Sequence, residues 1–160
     1  MRTSTTRWLS QAAMDPRTAV RLWKSGRTAP LQIGCRWELV RTDFTLGTAA
    51  VSQLKAGGAH IGPYLMGGAE RVIWWLLPLG TGKRLAAVPG AAVYPRGAEI
   101  FAPPPGRYLG DRVWVLPDQA GEWWNTLTSA DDLRAALDAA ARRLARRAAH
   151  ETGDAHNPSN

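Results

Sequence analysis

The spacing of apolar positions changes period several times along this chain, and each change predicts an element. The run Trp37-Glu38-Leu39-Val40-Arg41-Thr42 predicts a strand. Residues 47–56 predict a helix with Val51 and Leu54 inward, stopped by Gly57-Gly58. Residues 61–66 and 71–77 predict two strands joined through Gly67-Gly68, a hairpin. Within the second, Val72-Ile73-Trp74-Trp75-Leu76-Leu77 is apolar at every position, which predicts a central strand covered on both faces. Shorter strands are predicted at 98–102 and 112–116. Pro103-Pro104-Pro105-Gly106 between them leaves the sheet, because proline has no N–H for a ladder.

Helical spacing returns at both ends. Asp15-Pro16 is a helix start, an N-cap carboxylate followed by proline at the first helical position. Ala19, Val20, Leu22 and Trp23 form a short apolar stripe, and Gly26 ends it. Near the C-terminus, Ser129 with Asp132 three residues on resembles a capping box. Leu133, Leu137, Ala140 and Leu144 then fall on one helical face. Arginines cluster in the turns predicted to be its last, where cations suit the helix dipole, and Gly153 and Pro158 close it. The reading is an α+β fold with flanking helices and a C-terminal helix. Residues 1–30 form a basic arm with one short helix, 31–150 the body and 151–160 a loose tail; no internal repeat is visible.

Composition narrows the class. Apolar residues make up 45% and charged residues 21%, ordinary globular values that argue against wholesale disorder. No apolar run reaches the roughly 18 residues a membrane span needs. The leader Met1-Arg2-Thr3-Ser4-Thr5-Thr6-Arg7 runs into no apolar stretch, so no secretory signal and no membrane partner are expected. A single cysteine, Cys35, cannot close an internal disulfide and fits a reducing cytoplasm.

Charge changes the picture further. The chain carries +7 at neutral pH, with 17 arginines against 3 lysines, and arginine forks phosphate oxygens better than lysine does. The same bias also follows from a GC-rich genome, without any ligand. The charge concentrates at Arg2, Arg7, Arg17, Arg21, Lys24 and Arg27, and again at Arg142, Arg143, Arg146 and Arg147.

Catalytic signatures are sparse. None of the histidines, His60, His150 and His156, assembles with a Ser-Asp or Cys partner at a recognisable spacing. Leu79-Gly80-Thr81-Gly82-Lys83-Arg84 has half of a phosphate-binding P-loop, without its first glycine or the Ser/Thr after the lysine, and reads as a polar turn.

Three signatures in order carry more. They are Trp37-Glu38-Leu39-Val40-Arg41-Thr42-Asp43, then Met66-Gly67-Gly68-Ala69-Glu70-Arg71-Val72-Ile73, then Gly97-Ala98-Glu99-Ile100-Phe101-Ala102-Pro103-Pro104. From about residue 32 to 144 this order resembles the primase-polymerase N-terminal domain of the archaeo-eukaryotic primase superfamily, in its short actinobacterial form. That family places a strand ending in Asp-x-Asp first, then Gly-Gly-x-His and a hydrophobic strand, then a further Asp and a Pro-Pro segment. The resemblance implies a small RNA-recognition-like mixed or antiparallel sheet and a role in DNA replication or mobile elements. An active member uses two divalent ions, magnesium or manganese, held by carboxylates.

The chain departs from each motif. Arg41 stands where the first acid belongs, leaving Asp43 as the one metal ligand to consider, and the two are expected to form an ion pair on one strand face. Glu70 replaces the nucleotide-contacting histidine, and no acid lies between Leu85 and Gly97. Asp43 and Glu70 are therefore vestigial catalytic candidates, and the domain is read as degenerate and non-catalytic. Nucleic acid is the expected partner, through Arg96, Arg107, Tyr108, Arg112 and Trp114: arginines track phosphates while aromatic rings stack on bases. Alternatively, Trp114 packs beneath the final helix and the arginines are solvated.

Two other readings stay open. One is a residual nucleotidyltransferase using Asp43 with Glu38 or Glu70, although the odd spacing of Glu38 and Asp43 puts them on opposite strand faces. The other is a protein-interaction scaffold that docks a partner through Trp123-Trp124 and the basic arm.

Overall fold

A computed structural model describes residues 2–118 and 120–155. Two helices come first, α1 (Arg2–Ser10) and α2 (Pro16–Lys24). Asp15 caps α2 as its sequence predicts: the carboxylate accepts from the backbone N–H groups of Arg17 and Thr18. Strands β1 (Ala29–Gln32) and β2 (Glu38–Asp43) follow, then helix α3 (Phe44–Ala56). The hairpin of β3 (Tyr64–Gly67) and β4 (Val72–Leu77) comes next, followed by a short 3₁₀ helix at Gly82–Leu85. Three short strands, β5 (Ala91–Val93), β6 (Glu99–Ala102) and β7 (Arg112–Val115), lead to the long helix α4 (Ala130–Ala155).

Five strands form one antiparallel sheet in the order β5-β2-β4-β3-β7, and β1 pairs with β6 in a separate antiparallel ribbon. The apolar strand β4 is central, as its unbroken hydrophobicity requires. Alternation then sends its residues to two cores. Trp74 and Leu76 join Leu39, Leu65 and Trp114 on one face, while Ile73, Trp75 and Leu77 join Val40 and Tyr64 on the other. Helices α3 and α4 cover the second face through Ala50, Leu54, Leu133 and Leu137.

The first face is covered by the N-terminal segment, and here the structure corrects the sequence. The sequence predicts residues 1–30 to be a basic arm with one short helix, appended to a body that begins at residue 31. Instead Leu9, Ala12, Ala19 and Trp23 are buried with Leu31, Trp37 and Ile100 in the first core. The Trp23 indole N–H donates to the Ala102 carbonyl at 2.9 Å, pinning α2 to β6. Packing therefore runs straight through the expected boundary at residue 30.

The tail is corrected too. Helix α4 continues through Gly153 to Ala155, although residues 151–160 were expected to be loose; residues 156–160 lie outside the described residues. Among the described residues, no helix is long and apolar enough to cross a membrane.

Candidate nucleic-acid interface

The strand residues that resemble a metal site come apart on inspection. Arg41 and Asp43 share the first face of β2, opposite Trp74 and Val72 respectively. They do not pair; the ion pairs among the described residues are Arg84–Asp131 and Arg112–Glu70. Asp43 is instead the N-cap of α3, its carboxylate accepting from the Leu46 N–H at 2.8 Å. The helix that starts directly after the strand turns the Leu46 N–H, which has no carbonyl partner one turn back, toward this carboxylate, a closer partner than a guanidinium two residues back.

The other acids are also engaged. Glu70, in the β3–β4 turn, pairs with Arg112 at 2.9 Å. Glu38 lies at the far end of β2 and accepts from the Gly82 N–H at 2.6 Å. The half P-loop thus directs this N–H at the chain's own carboxylate. Among the described residues, no three His, Cys, Asp or Glu side chains converge as a metal site would require.

The predicted binding residues are dispersed. Arg112 and Trp114 share one strand face, as alternation requires, but both are committed internally. Trp114 is only 5% exposed and donates its indole N–H to the Pro103 carbonyl at 2.8 Å. It lies in the first core, on the face opposite α4, so it neither stacks on a base nor packs beneath the final helix. Arg112 lies over the Trp74 ring at 4.4 Å, pairs with Glu70 and donates to the Phe101 carbonyl at 2.6 Å. A guanidinium with those three partners has little left for a phosphate.

Arg96 folds against Gly34, where φ is +92° and a Cβ would collide with the arginine side chain. Tyr108 is 61% exposed and donates its O–H to Asp111 at 3.0 Å. That hydrogen bond, with a smaller contribution from desolvation, raises its pKa.

Arg107 alone of the five reaches a large surface concavity. A groove of about 1020 Å³ runs between α1, α2 and the segment after β6. Arg7 enters it from α1, Arg17 and Lys24 from α2, and Arg107 from the proline-rich segment. Pro16, Val20, Trp23 and Pro104 make an apolar floor, and among the described residues no acid lines it. All four cations are exposed, and none is in an ion pair with another described residue. Trp23 is buried and hydrogen-bonded, so it serves as floor and not as a stacking platform.

The sequence offers the basic residues of α1 and α2 only as part of a protein-docking arm, not as a nucleic-acid site, although the signal for one face is present. Arg17, Val20 and Lys24 fall at i, i+3 and i+7 on one helical face. The sequence could not place that face beside Arg107, about ninety positions away in the chain.

Trp123 and Trp124 separate as well. Trp124 meets Trp8 edge-on at a centroid distance of 5.8 Å, closing the seam between the loop and α1. Trp123 is 65% exposed.

Comparison with protein-family models, curated proteins and solved structures finds no match for this chain.

Proposed function

We propose that this chain is a degenerate primase-polymerase-like domain that binds nucleic acid without carrying out nucleotidyl transfer, in the cytoplasm and in support of DNA replication or a mobile element. The observation that carries the binding half is the groove. Four cations with no ion pair among the described residues surround an apolar floor with no acid among its described lining residues, a charge pattern complementary to a sugar–phosphate chain. The cations meet phosphates, and the floor accommodates the apolar edges of the sugars.

The non-catalytic half is supported by how the acids are used. Asp43 caps a helix, Glu70 neutralises Arg112 and Glu38 takes a backbone N–H, so each is held by a partner of its own. The family assignment itself rests on the order of the three sequence signatures.

The test is titration of labelled single-stranded and duplex oligonucleotides across a salt series. Replacing Arg7, Arg17, Lys24 and Arg107 together with glutamine is expected to weaken binding at least about tenfold at low salt and to flatten the salt dependence. An unaltered protein that binds neither oligonucleotide at low salt defeats the reading. Incorporation of labelled nucleotide in magnesium or manganese, abolished by Asp43→Ala, would restore the enzymatic alternative.

One observation favours the scaffold reading, the exposure of Trp123. Light scattering with Trp123→Ser checks it: a self-associating protein that becomes monomeric on substitution would favour docking through this loop.

A further inference from the structure

Helix α4 continues well beyond the body it packs against. Leu133, Ala136, Leu137 and Ala140 are buried in the second core, and Leu144 packs at its margin. Residues 145–153 are all exposed. At 1.5 Å per residue this is about 13 Å of helix standing clear of the sheet.

Arg142, Arg143, Arg146 and Arg147 sit where the helix leaves the body. They form two like-charged i,i+4 pairs, a spacing that disfavours an isolated helix. The helix dipole does not offset this. With α4 running to Ala155, the arginines lie more than two turns before its end, beyond the last turn in which cations are favoured. None of the four is in an ion pair with another described residue.

The chemistry of this projection selects its ligand. A membrane-surface helix needs a broad apolar face, and a helix that docks in a protein groove needs apolar anchors at i, i+3 or i+4, and i+7. Residues 141–153 have neither, with Leu144 as their single large apolar side chain. What they do carry is guanidinium groups, whose planar donors match phosphate oxygens in pairs. A duplex major groove about 12 Å wide admits one helix with phosphates along both walls.

We propose that the C-terminal part of α4, from where it leaves the body, is a second nucleic-acid contact that seats against a duplex groove through Arg142, Arg143, Arg146 and Arg147. The inference rests on the nucleic-acid reading for its ligand class and assigns duplex contact to a surface separate from the α1–α2 groove.

The experiment uses the full chain with all four arginines changed to glutamine, and a second variant with all four changed to lysine. Glutamine keeps helix propensity, so both variants should keep the parent's cooperative melt. The glutamine variant is expected to lose at least about tenfold in affinity for a labelled duplex at low salt. Its plot of log affinity against log salt should be shallower by about 2–4 units, while the lysine variant keeps most of the slope. Amide exchange across residues 141–153 should slow when duplex is added to the parent.

A glutamine variant with unchanged duplex affinity and salt slope overturns this inference and leaves the groove reading intact. So does a parent that binds only single strands, or exchange that duplex does not slow. Competition by poly-glutamate as effective as by duplex would make the surface a site for acidic protein. A parent that binds no nucleic acid removes both readings together.

Discussion

Asp43 illustrates how one residue's role depends on its neighbours. A carboxylate at the end of a strand is a metal ligand when another acid shares its face, and a helix cap when a helix begins at the next position. Here α3 begins at Phe44, and the carboxylate accepts from the Leu46 N–H. Asp43→Ala should therefore lower stability by about 1 kcal/mol, and Asp43→Asn, which can still cap, by much less; denaturant unfolding measures both. Trp114 makes the corresponding case for an aromatic. Because it is buried and hydrogen-bonded to Pro103, Trp114→Ala should cost about 3–5 kcal/mol in the same assay. Asp15 carries a pH prediction. The Thr18 hydroxyl and the Thr18 and Arg17 amides hold its pKa below the ordinary 3.8. A carboxyl with a depressed folded pKa contributes stability above the unfolded value, and that contribution is lost as pH falls through the folded one. The stability difference between the native chain and Asp15→Asn should thus shrink on acidification below pH 3.8, read from unfolding midpoints across pH.

At the scale of elements, the sequence located most strands and helices and misplaced one helix start. The sequence pattern over 47–56 predicts a helix opened by Gly47, whereas α3 begins three residues earlier and Gly47 lies inside it. Its absent side chain is what lets α3 approach the sheet: a Cβ there would come within 2.8 Å of both Ile73 Cδ1 and Thr42 Oγ1. Gly47→Ala should be destabilising by about 1–3 kcal/mol despite alanine's better helix propensity, a sign reversal that thermal unfolding detects. The α1–α2 layer was visible as one capped helix, but its docking was not. The stripe of Ala19, Val20, Leu22 and Trp23 marks an apolar face without naming the surface that covers it. Deleting residues 1–28 should bare the first core around Leu31, Trp37 and Trp74 and produce dye-binding, aggregation-prone protein in place of a cooperative melt.

For the molecule as a whole, a twice-covered sheet sets where ligands can meet it. The face carrying Arg112 and Trp114 would be a binding platform if open, but α1, α2 and the β1–β6 ribbon close it. Basic surface consequently moves outward, to the groove on the N-terminal layer and to the C-terminal part of α4. The scattered acids carry a whole-molecule prediction for metal. With no three converging ligands among the described residues, magnesium or manganese at millimolar concentration should leave the unfolding midpoint unchanged; an upward shift would reveal a site formed by other means.

The sequence alone determined what depends on neighbours along the chain. The Asp15 cap follows from a carboxylate placed just before a helix, the stop at Gly57-Gly58 from the positive φ that Gly58 adopts, the hairpin from two apolar runs set close together along the chain, and the central position of β4 from its unbroken apolar run. Tertiary structure decided which apolar face met which. It buried Trp114, tied Arg112 to Glu70 and brought Arg107 beside Arg7, Arg17 and Lys24. Burial depends on surfaces far apart in the chain, and no local pattern specifies the partner that closes over a given side chain.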